Sequence, residues 1–251
     1  MRAVLSRIQY LVAVLSCVLF ITPALAVTGG APGAVGEFGR AIVMIKGARE
    51  SVCTGTAIAR DIVLTAAHCA QDKSAVVVAS NGARPIPLRA IAVHPGFNMD
   101  NYFRARVTAD VALLKLAEPL PASIVPATYG SSAVKPGDKL TVAGFGTTAP
   151  GSASGLGSPR MAQLIVTGKP GNLQIRLFDP ATRGESAGLG ACTGDSGGPA
   201  FSGNHVIGVI SWTTGPQLSD GCGGLTGITP LAIYQGWLDE TAKKLGNTPS
   251  P

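Results

Sequence analysis

The 251-residue sequence is 46% hydrophobic and only 14% charged, a composition too apolar for an intrinsically disordered chain. Its 33 glycines and 18 prolines are spread along the whole length, which favours short strands joined by turns over an all-helical bundle. The formal net charge of +6 includes two arginines near the amino terminus; the chain from residue 27 carries 18 basic and 14 acidic residues. The basic residues are scattered, so nucleic-acid binding has little support.

The first 26 residues have the pattern of an export signal. A short basic start, Met1–Arg7, precedes the apolar run Ile8–Ile21, and the small residues Ala24 and Ala26 mark a cleavage site. The apolar run is shorter than the ~20 residues that a membrane-spanning helix needs, so an uncleaved anchor is less favoured. We predict that residues 1–26 are a signal peptide. The mature chain would then begin at Val27, be secreted or periplasmic, and have no stable association with a membrane.

Short apolar runs bounded by turn residues recur through the rest of the chain and predict β-strands. In chain order they are Ala41–Ile45, Ile62–Ala66, Ala75–Val78, Arg89–Val93, Val111–Leu116, Lys139–Gly144, Met161–Thr167, Leu173–Phe178 and His205–Ser211. Only Leu231–Leu245 has helical spacing, and Gly246 follows it as a stop signal. Residues 120–135 contain prolines and serines with little periodicity, which indicates a connection between residues 27–125 and 126–251. The sequence thus predicts an all-β protein with one small barrel in each half and a C-terminal helix.

Four cysteines remain once Cys17 leaves with the predicted signal peptide. An even number in an exported protein indicates disulfides. Four cysteines allow three connectivities, of which we favour the local one, Cys53 with Cys69 and Cys192 with Cys222. Zinc binding is the rival interpretation, but the chain has no C-x-x-C pair and its cysteine spacings fit no common zinc finger.

The densest chemical signal is Gly194-Asp195-Ser196-Gly197-Gly198-Pro199. A serine between glycines can expose its hydroxyl while nearby backbone N–H groups point at one spot, as nucleophilic acyl transfer requires. The same residues match G-x-S-x-G, the nucleophile elbow of α/β-hydrolases, which would indicate an esterase or lipase. That fold places its acid and its histidine after the serine, whereas only His205 follows Ser196 here. The strand-rich pattern also lacks alternating helices, so the elbow is not favoured.

The chain has three histidines, so a general base has few candidates. His68 lies among small residues beside Cys69, where a disulfide would fix its geometry. His94 precedes a proline and a polar stretch, and His205 follows a turn, so both fit surface positions. Asp110 stands immediately before a buried apolar run, and a burial-prone carboxylate needs a partner such as an imidazole N–H.

Three motifs in the order His, Asp, Ser resemble those of the chymotrypsin-like (trypsin-type) serine proteases. They are Thr65-Ala66-Ala67-His68-Cys69, Asp110-Val111-Ala112-Leu113 and Gly194–Pro199. The resemblance runs from Val27 to the terminal helix. It implies two antiparallel six-stranded β-barrels with the active site in the cleft between them.

The resemblance also implies roles for individual residues. Ser196 would attack the scissile carbonyl of a protein or peptide substrate, His68 would accept its proton, and Asp110 would orient the imidazole. The N–H groups of Gly194 and Ser196 would form the oxyanion hole. No cofactor is implied and no metal site is apparent.

Activation in this family depends on a free amino terminus. Val27-Thr28-Gly29-Gly30 resembles the mature start of such enzymes, and the amine of Val27 would then pair with Asp195. Because signal cleavage itself would expose Val27, we expect an enzyme that is competent on export without a separate zymogen step.

The primary specificity pocket is implied by position. Its base would be Gly190, so the acid that makes trypsin prefer Arg or Lys is absent. Ser211, Trp212 and Thr213 match the wall along which substrate pairs, with Thr213 in place of the common glycine, and its β-branched side chain should narrow the pocket. Gly227 on the opposite wall would leave it open on that side. We therefore expect small or medium neutral side chains before the cleaved bond.

Two further possibilities follow from the sequence. The stretch Thr214–Gly221 is longer than in trypsin and contains Asp220, which could bring charge to the pocket. A non-catalytic binding protein on the same scaffold is the alternative function, although such proteins usually lose a triad member or the glycine motif, and both are intact here.

Overall fold

The computed structural model describes residue 28 and residues 31–34, 36–79, 84–168, 171 and 173–246. Within these residues the chain forms thirteen β-strands and three α-helices. The strands are β1 Ile42–Lys46, β2 Val52–Ala57, β3 Ile62–Thr65, β4 Val76–Ala79, β5 Ile86–Val93, β6 Ala112–Leu116, β7 Thr128–Tyr129, β8 Lys139–Gly144, β9 Arg160–Thr167, β10 Ile175–Phe178, β11 Pro199–Ser202, β12 His205–Thr213 and β13 Leu225–Pro230. The helices are α1 Gly36–Ala41, α2 Met99–Phe103 and α3 Gln235–Gly246. The predicted signal peptide and Val27 lie outside the described residues.

The first barrel is closed by six antiparallel strands in the order β1-β2-β3-β6-β5-β4. Alternation places Val63 of β3 in the barrel core, whereas its neighbours Ile62 and Leu64 face outwards. The outward pair is also buried, because it packs against Leu238 of α3 and residues around it. This two-sided burial explains why β3 and β6 are continuous apolar runs in the sequence.

The second barrel contains β8 to β13, with neighbours in the order β11-β8-β9-β10-β13-β12, and pairing of β11 with β12 closes it. The short strand β7 pairs in parallel with the start of β12. Aliphatic side chains such as Leu164, Leu177 and Ile228 fill its core. The fold class predicted from the sequence is confirmed: two six-stranded antiparallel barrels followed by a C-terminal helix.

The first and the last described segments of the chain each pack against the barrel that the other half of the chain forms. Thr28 pairs with Gly190, and Gly33 pairs with Arg160, both in the second half of the chain. Helix α3 instead packs on β3 and β6 of the first barrel through Leu238. These crossed contacts hold the two barrels together, and the domain division between residues 125 and 126 stays a prediction.

All nine predicted strands overlap strands of the structure, and α3 begins inside the predicted helical segment 231–245 and ends one residue beyond it, at Gly246. Strands β2, β7, β11 and β13 were not predicted, because glycine, threonine or proline interrupts their apolar character. The short helices α1 and α2 were also missed; α2 has no buried residue and so shows no periodic apolar face. None of the helices in the described part of the chain has the length and hydrophobicity that a membrane span needs.

Candidate active site

His68 and Asp110 meet at one edge of the first barrel because of strand pairing. Thr65 at the end of β3 is paired with Ala112 at the start of β6. The turn after β3 carries His68, and Asp110 lies just before β6, so both project from the same edge. The His68 Nδ1 and Asp110 Oδ2 atoms are 2.8 Å apart, and the backbone N–H of His68 donates to Oδ1 over 2.9 Å.

A third donor fixes the Asp110 carboxylate. The Ser211 hydroxyl donates to Oδ2 over 2.6 Å, and Asp110 is only 1% exposed. A carboxylate accepts hydrogen bonds, so its partner Nδ1 must carry the imidazole proton. Nε2 of neutral His68 is therefore the atom with a free lone pair, the state required of a general base.

Tyr102 covers the imidazole and was not identified from the sequence. Its ring, on α2, stacks on that of His68 with centroids 4.3 Å apart and an interplanar angle of 18°. Its hydroxyl donates to the backbone oxygen of Ser211 over 3.3 Å. Burial, together with the negative charge of Asp110, raises the pKa of Tyr102 to about 12, so the phenol stays neutral beside the imidazole.

Ser196 is placed by a turn that is tied to both barrels. Its backbone oxygen accepts from Thr54 of β2 over 2.8 Å, and the next N–H, that of Gly197, donates to Ile210 of β12 over 2.7 Å. Gly197 has φ +81°, and a side chain there would overlap Thr54 and Thr65. Only glycine fits this approach of the second barrel to the first.

Ser196 and His68 line the same cleft, which has a volume of about 380 Å3. The structure shows no hydrogen bond between the Ser196 hydroxyl and His68; Nε2 lies 3.6 Å from Cys69 Sγ. Such bonds are commonly long in ligand-free enzymes and tighten when substrate binds. The structure thus places the predicted nucleophile and the predicted base in one cleft, without a hydrogen bond between them.

The backbone next to Ser196 presents N–H groups to the cleft. The oxygen of Thr193 accepts from the N–H of Thr147 over 2.8 Å, and in a trans peptide the N–H of Gly194 points the opposite way. Gly194 has φ +97°, and an added Cβ would stand 2.9 Å from Cα of Gly146. Among the described residues, neither the Gly194 nor the Ser196 N–H has a protein acceptor, so both are available to an oxyanion.

Asp195 is completely buried and points away from the cleft. Its carboxylate accepts from the N–H of Gly146 over 2.7 Å and from that of Cys192 over 2.8 Å. Burial raises the pKa of Asp195 to about 7, although both hydrogen bonds lower it. Val27, its predicted partner, lies outside the described residues. Thr28, which follows Val27 in the chain, donates its N–H to the Gly190 oxygen over 3.1 Å.

Two threonines on paired strands lie at the predicted primary pocket, where the sequence analysis identified only Thr213. Thr213 and Thr226 are cross-strand partners and therefore face the same side. The Thr213 hydroxyl donates to the Ala191 oxygen over 2.9 Å, linking the two walls, and the Thr226 hydroxyl accepts from the Ala191 N–H over 3.0 Å. An added Cβ on Gly190 would stand 3.4 Å from Thr226 Oγ1. Thr226 thus fills space at the proposed base of the pocket, and Thr213 fills space at its mouth.

Gly227 does not open the pocket, contrary to the expectation from the sequence. It is the cross-strand partner of Trp212, and a side chain there would overlap the indole ring. Its missing side chain makes room for Trp212, while the adjacent Thr226 faces Gly190. Asp220 is exposed in the loop after β12 and is not among the residues that line the cleft.

Two disulfides flank the cleft. They join Cys53 to Cys69 and Cys192 to Cys222, the local pairing favoured from the sequence. Within the described residues, the one group of three potential metal ligands is Cys53, His68 and Cys69. Because its sulfurs are joined to each other, they cannot supply the thiolates that a metal would need.

Comparisons with known proteins agree with this geometry. The family model described as Trypsin matches residues 27–238. Trypsin alpha of Drosophila melanogaster is 27% identical over 241 residues, which cover 87% of this chain and 88% of that protein. Snake venom serine protease rhinocerase 4 of Bitis rhinoceros is 26% identical over 223 residues, with 84% and 86% coverage. The structure of human heparin binding protein shares the fold, with a TM-score of 0.70, 22% identity, and coverage of 89% of this chain and 99% of that one. The match over most of the chain shows that this protein belongs to the trypsin family of serine proteases.

Proposed function

We propose that the protein is a serine endopeptidase that uses Ser196, His68 and Asp110 as its catalytic residues. The observation that carries the proposal is the His68–Asp110 pair, with the Nδ1 proton held by a buried carboxylate. It leaves Nε2 as the free base in the cleft that Ser196 also lines. Its substrates are proteins or peptides.

The chemistry follows from the positions of these groups. Ser196 Oγ attacks the scissile carbonyl while its proton passes to Nε2 of His68, and the Gly194 and Ser196 N–H groups hold the resulting oxyanion. The imidazolium then protonates the leaving amine, which departs and leaves an acyl-enzyme. Water attacks that ester with His68 again as base, and the acid product leaves with Ser196 restored.

The pocket geometry supports a preference for small neutral side chains, such as alanine or valine, before the cleaved bond. Thr213 and Thr226 occupy space at its mouth and base, and Gly190 offers no charge for a basic side chain. Cleavage of substrates that differ only at this position, carrying Ala, Val, Leu, Phe or Arg, tests the preference. Dominant cleavage after Arg would overturn it.

Export and activation complete the proposal. Removal of residues 1–26 would expose Val27, whose amine would enter beside Asp195. The complete burial of this carboxylate and the position of Thr28 support the pairing. Members of this family are typically secreted, and the disulfides fit an oxidising periplasmic or extracellular location. Amino-terminal sequencing of the exported protein tests this, and a mature start other than Val27 would contradict it.

A fluorophosphonate probe tests the catalytic assignment, since it reacts with an activated serine. The mature protein should be labelled and should cleave peptides, whereas Ser196→Ala should do neither while unfolding at an unchanged temperature. Ser202→Ala, a partly buried serine on β11 outside the cleft, is the matched control and should behave like wild type. Absence of labelling in the folded, exported protein would favour the alternative, a non-catalytic binding protein on this scaffold.

A further inference from the structure

The active-site cleft continues into a long groove on one side. A connecting pocket of about 480 Å3 shares Tyr102 and Ser211–Thr213 with the cleft. It in turn shares Arg176 and Leu218 with a larger pocket of about 680 Å3. We call this larger pocket the distal groove; it lies between the β9–β10 hairpin, the turn around Arg183, and the loop after β12. The three pockets therefore form one surface that begins at Ser196.

The groove is rich in unpaired positive charge. Arg106 lines the connecting pocket, Arg183 the distal groove, and Arg176 both. None of these exposed guanidinium groups forms an ion pair or hydrogen bond with the described residues. Glu185 is the one carboxylate among the described lining residues of the two pockets. A cleft with this imbalance attracts acidic side chains.

Exposed apolar side chains gather around the same groove. Phe103 and Leu218 are 75% and 70% exposed, and Leu173 and Val107 are 48% and 43% exposed. All four line the connecting pocket or the distal groove. The described residues include seven large hydrophobic side chains that are exposed, so more than half of them lie around this one groove. Apolar surface collected in a groove marks a binding site more often than single exposed residues do.

The backbone of the groove is also strained. Among the described residues, five that are not glycine have positive φ, and four of them line these two pockets: Ala105, Arg183, Gln217 and Leu218, with φ between 51° and 65°. Residues with side chains rarely adopt this conformation, and it clusters at ligand-binding sites where the surrounding structure enforces it. Here it holds Arg183 and Leu218 at the rim of the groove.

We propose that the distal groove binds the substrate segment that precedes the scissile bond and selects an acidic residue next to an apolar one. This rests on the proposed peptidase function. The side chain before the cleaved bond would enter beside Thr213, so earlier residues would leave along Trp212 into the connecting pocket. An acidic side chain there pairs with Arg176 and Arg183, which bind carboxylates through paired N–H groups. The apolar neighbour packs against Leu218.

Three matched peptides test the proposal. They share one cleavable core and carry an upstream extension of Glu and Leu, of Lys and Leu, or of Gln and Ser; the core alone is the fourth substrate. Exposed ion pairs change binding by a factor of about 1.4 to 5 each, so with two arginines kcat/KM for the acidic extension should exceed that for the lysine extension about twofold to 25-fold. High salt should reduce this ratio.

Variants assign the effect to the groove. Arg176→Gln with Arg183→Gln should abolish the preference for the acidic extension, measured as kcat/KM for each extended peptide relative to that for the core alone in the same variant. Leu218→Ser should weaken both leucine-containing extensions. Arg84→Gln, an exposed arginine of the first half of the chain, is the control and should retain the preference. Equal kcat/KM for acidic and lysine extensions, or a preference that survives the double substitution, would overturn the proposal.

Binding separates this proposal from the catalytic one. In Ser196→Ala, a fluorescent peptide with the acidic extension should bind more tightly than its lysine counterpart, and the difference should vanish with the double arginine substitution. If fluorophosphonate fails to label the wild type but this binding difference is found, the peptidase assignment is wrong and the proposal for the distal groove is retained. If labelling succeeds without a charge preference in binding, the groove proposal fails alone.

Discussion

Thr213→Gly should widen the primary pocket at its mouth. In the structure the Thr213 hydroxyl donates to the Ala191 oxygen over 2.9 Å and to the Leu225 oxygen over 3.1 Å, which links the two walls. Glycine removes this link and the methyl group beside it. Thr226 remains next to Gly190, so the base keeps its restriction. The change should therefore favour leucine over alanine more than it favours phenylalanine.

The expected magnitude follows from the atoms removed. One methylene in an apolar pocket changes transition-state binding by about 1–3 kcal/mol, a factor of about 10 to 200. The ratio of kcat/KM for leucine to that for alanine should rise within this range. The protein should lose about 1–2.5 kcal/mol of unfolding free energy, from the hydrogen bond that the single Thr213 hydroxyl proton shares between two oxygens and from the freedom of glycine in a strand. A domain stable by roughly 5–15 kcal/mol would remain folded.

Thr213→Ser provides the matched comparison, because it keeps the hydroxyl and removes only the methyl group. Both variants are assayed with peptides that differ only before the cleaved bond, after thermal unfolding has shown that they are folded. Thr213→Ser should shift the leucine-to-alanine ratio less than Thr213→Gly. An unchanged ratio in folded Thr213→Gly would refute the conclusion that this side chain closes the mouth.

Three other predictions concern single groups. Gly194→Ala places a side chain on a residue with φ +97° and should lower kcat about 100- to 1000-fold by displacing an oxyanion donor; near-normal turnover would contradict this. Burial lowers the pKa of His94, so its contribution to stability is complete above the unfolded pKa, about 6.5, and is lost as pH falls below it. Chemical unfolding from pH 7 to 5 should show this decline, and His94→Gln should reduce it. Asp61→Asn leaves the buried Lys115 ammonium unpaired and should cost about 2–4 kcal/mol. Lys115→Met should cost less in the same unfolding measurement, because no unpaired charge remains.

Two of the strands that the sequence predicted, β3 and β6, are buried along their whole length on both faces. Residues 62–65 and 112–116 read as apolar runs because one face fills the barrel and the other meets neighbouring elements. Strand β2 escaped prediction since Thr54 and Thr56 are buried without being apolar. The burial of Thr54 involves the second half of the chain, because its hydroxyl donates to the Gly194 oxygen over 2.9 Å. Such a position cannot be recognised before the two halves of the chain are brought together.

The pocket shows how a single position changes an interpretation. Strand side chains alternate between faces, so a shift of one residue exchanges the inward set for the outward set. The sequence analysis assigned Gly227 to the pocket wall and therefore predicted that this side of the pocket is open. In the observed strand pairing Thr226 lies at this wall instead, and Gly227 lies against Trp212. Tyr102 was missed for a related reason. Its stacking on His68 depends on the path of the loop between β5 and β6, which no local pattern reveals.

The proposed reaction and the proposed substrate selection are therefore not equally predictable from the sequence. The reaction needs groups within hydrogen-bond distance of one carbonyl, and this demand leaves short motifs around Ser196, His68 and Asp110. The proposed selection of substrates depends on distances between loops, which leave no motif. Arg176 and Arg183 lie on separate elements, and each alone is an ordinary exposed arginine. They become informative only because the strained residue Leu218, far away in sequence, closes the same groove. Relatives with an intact catalytic motif can accordingly differ in the groove while catalysing the same reaction.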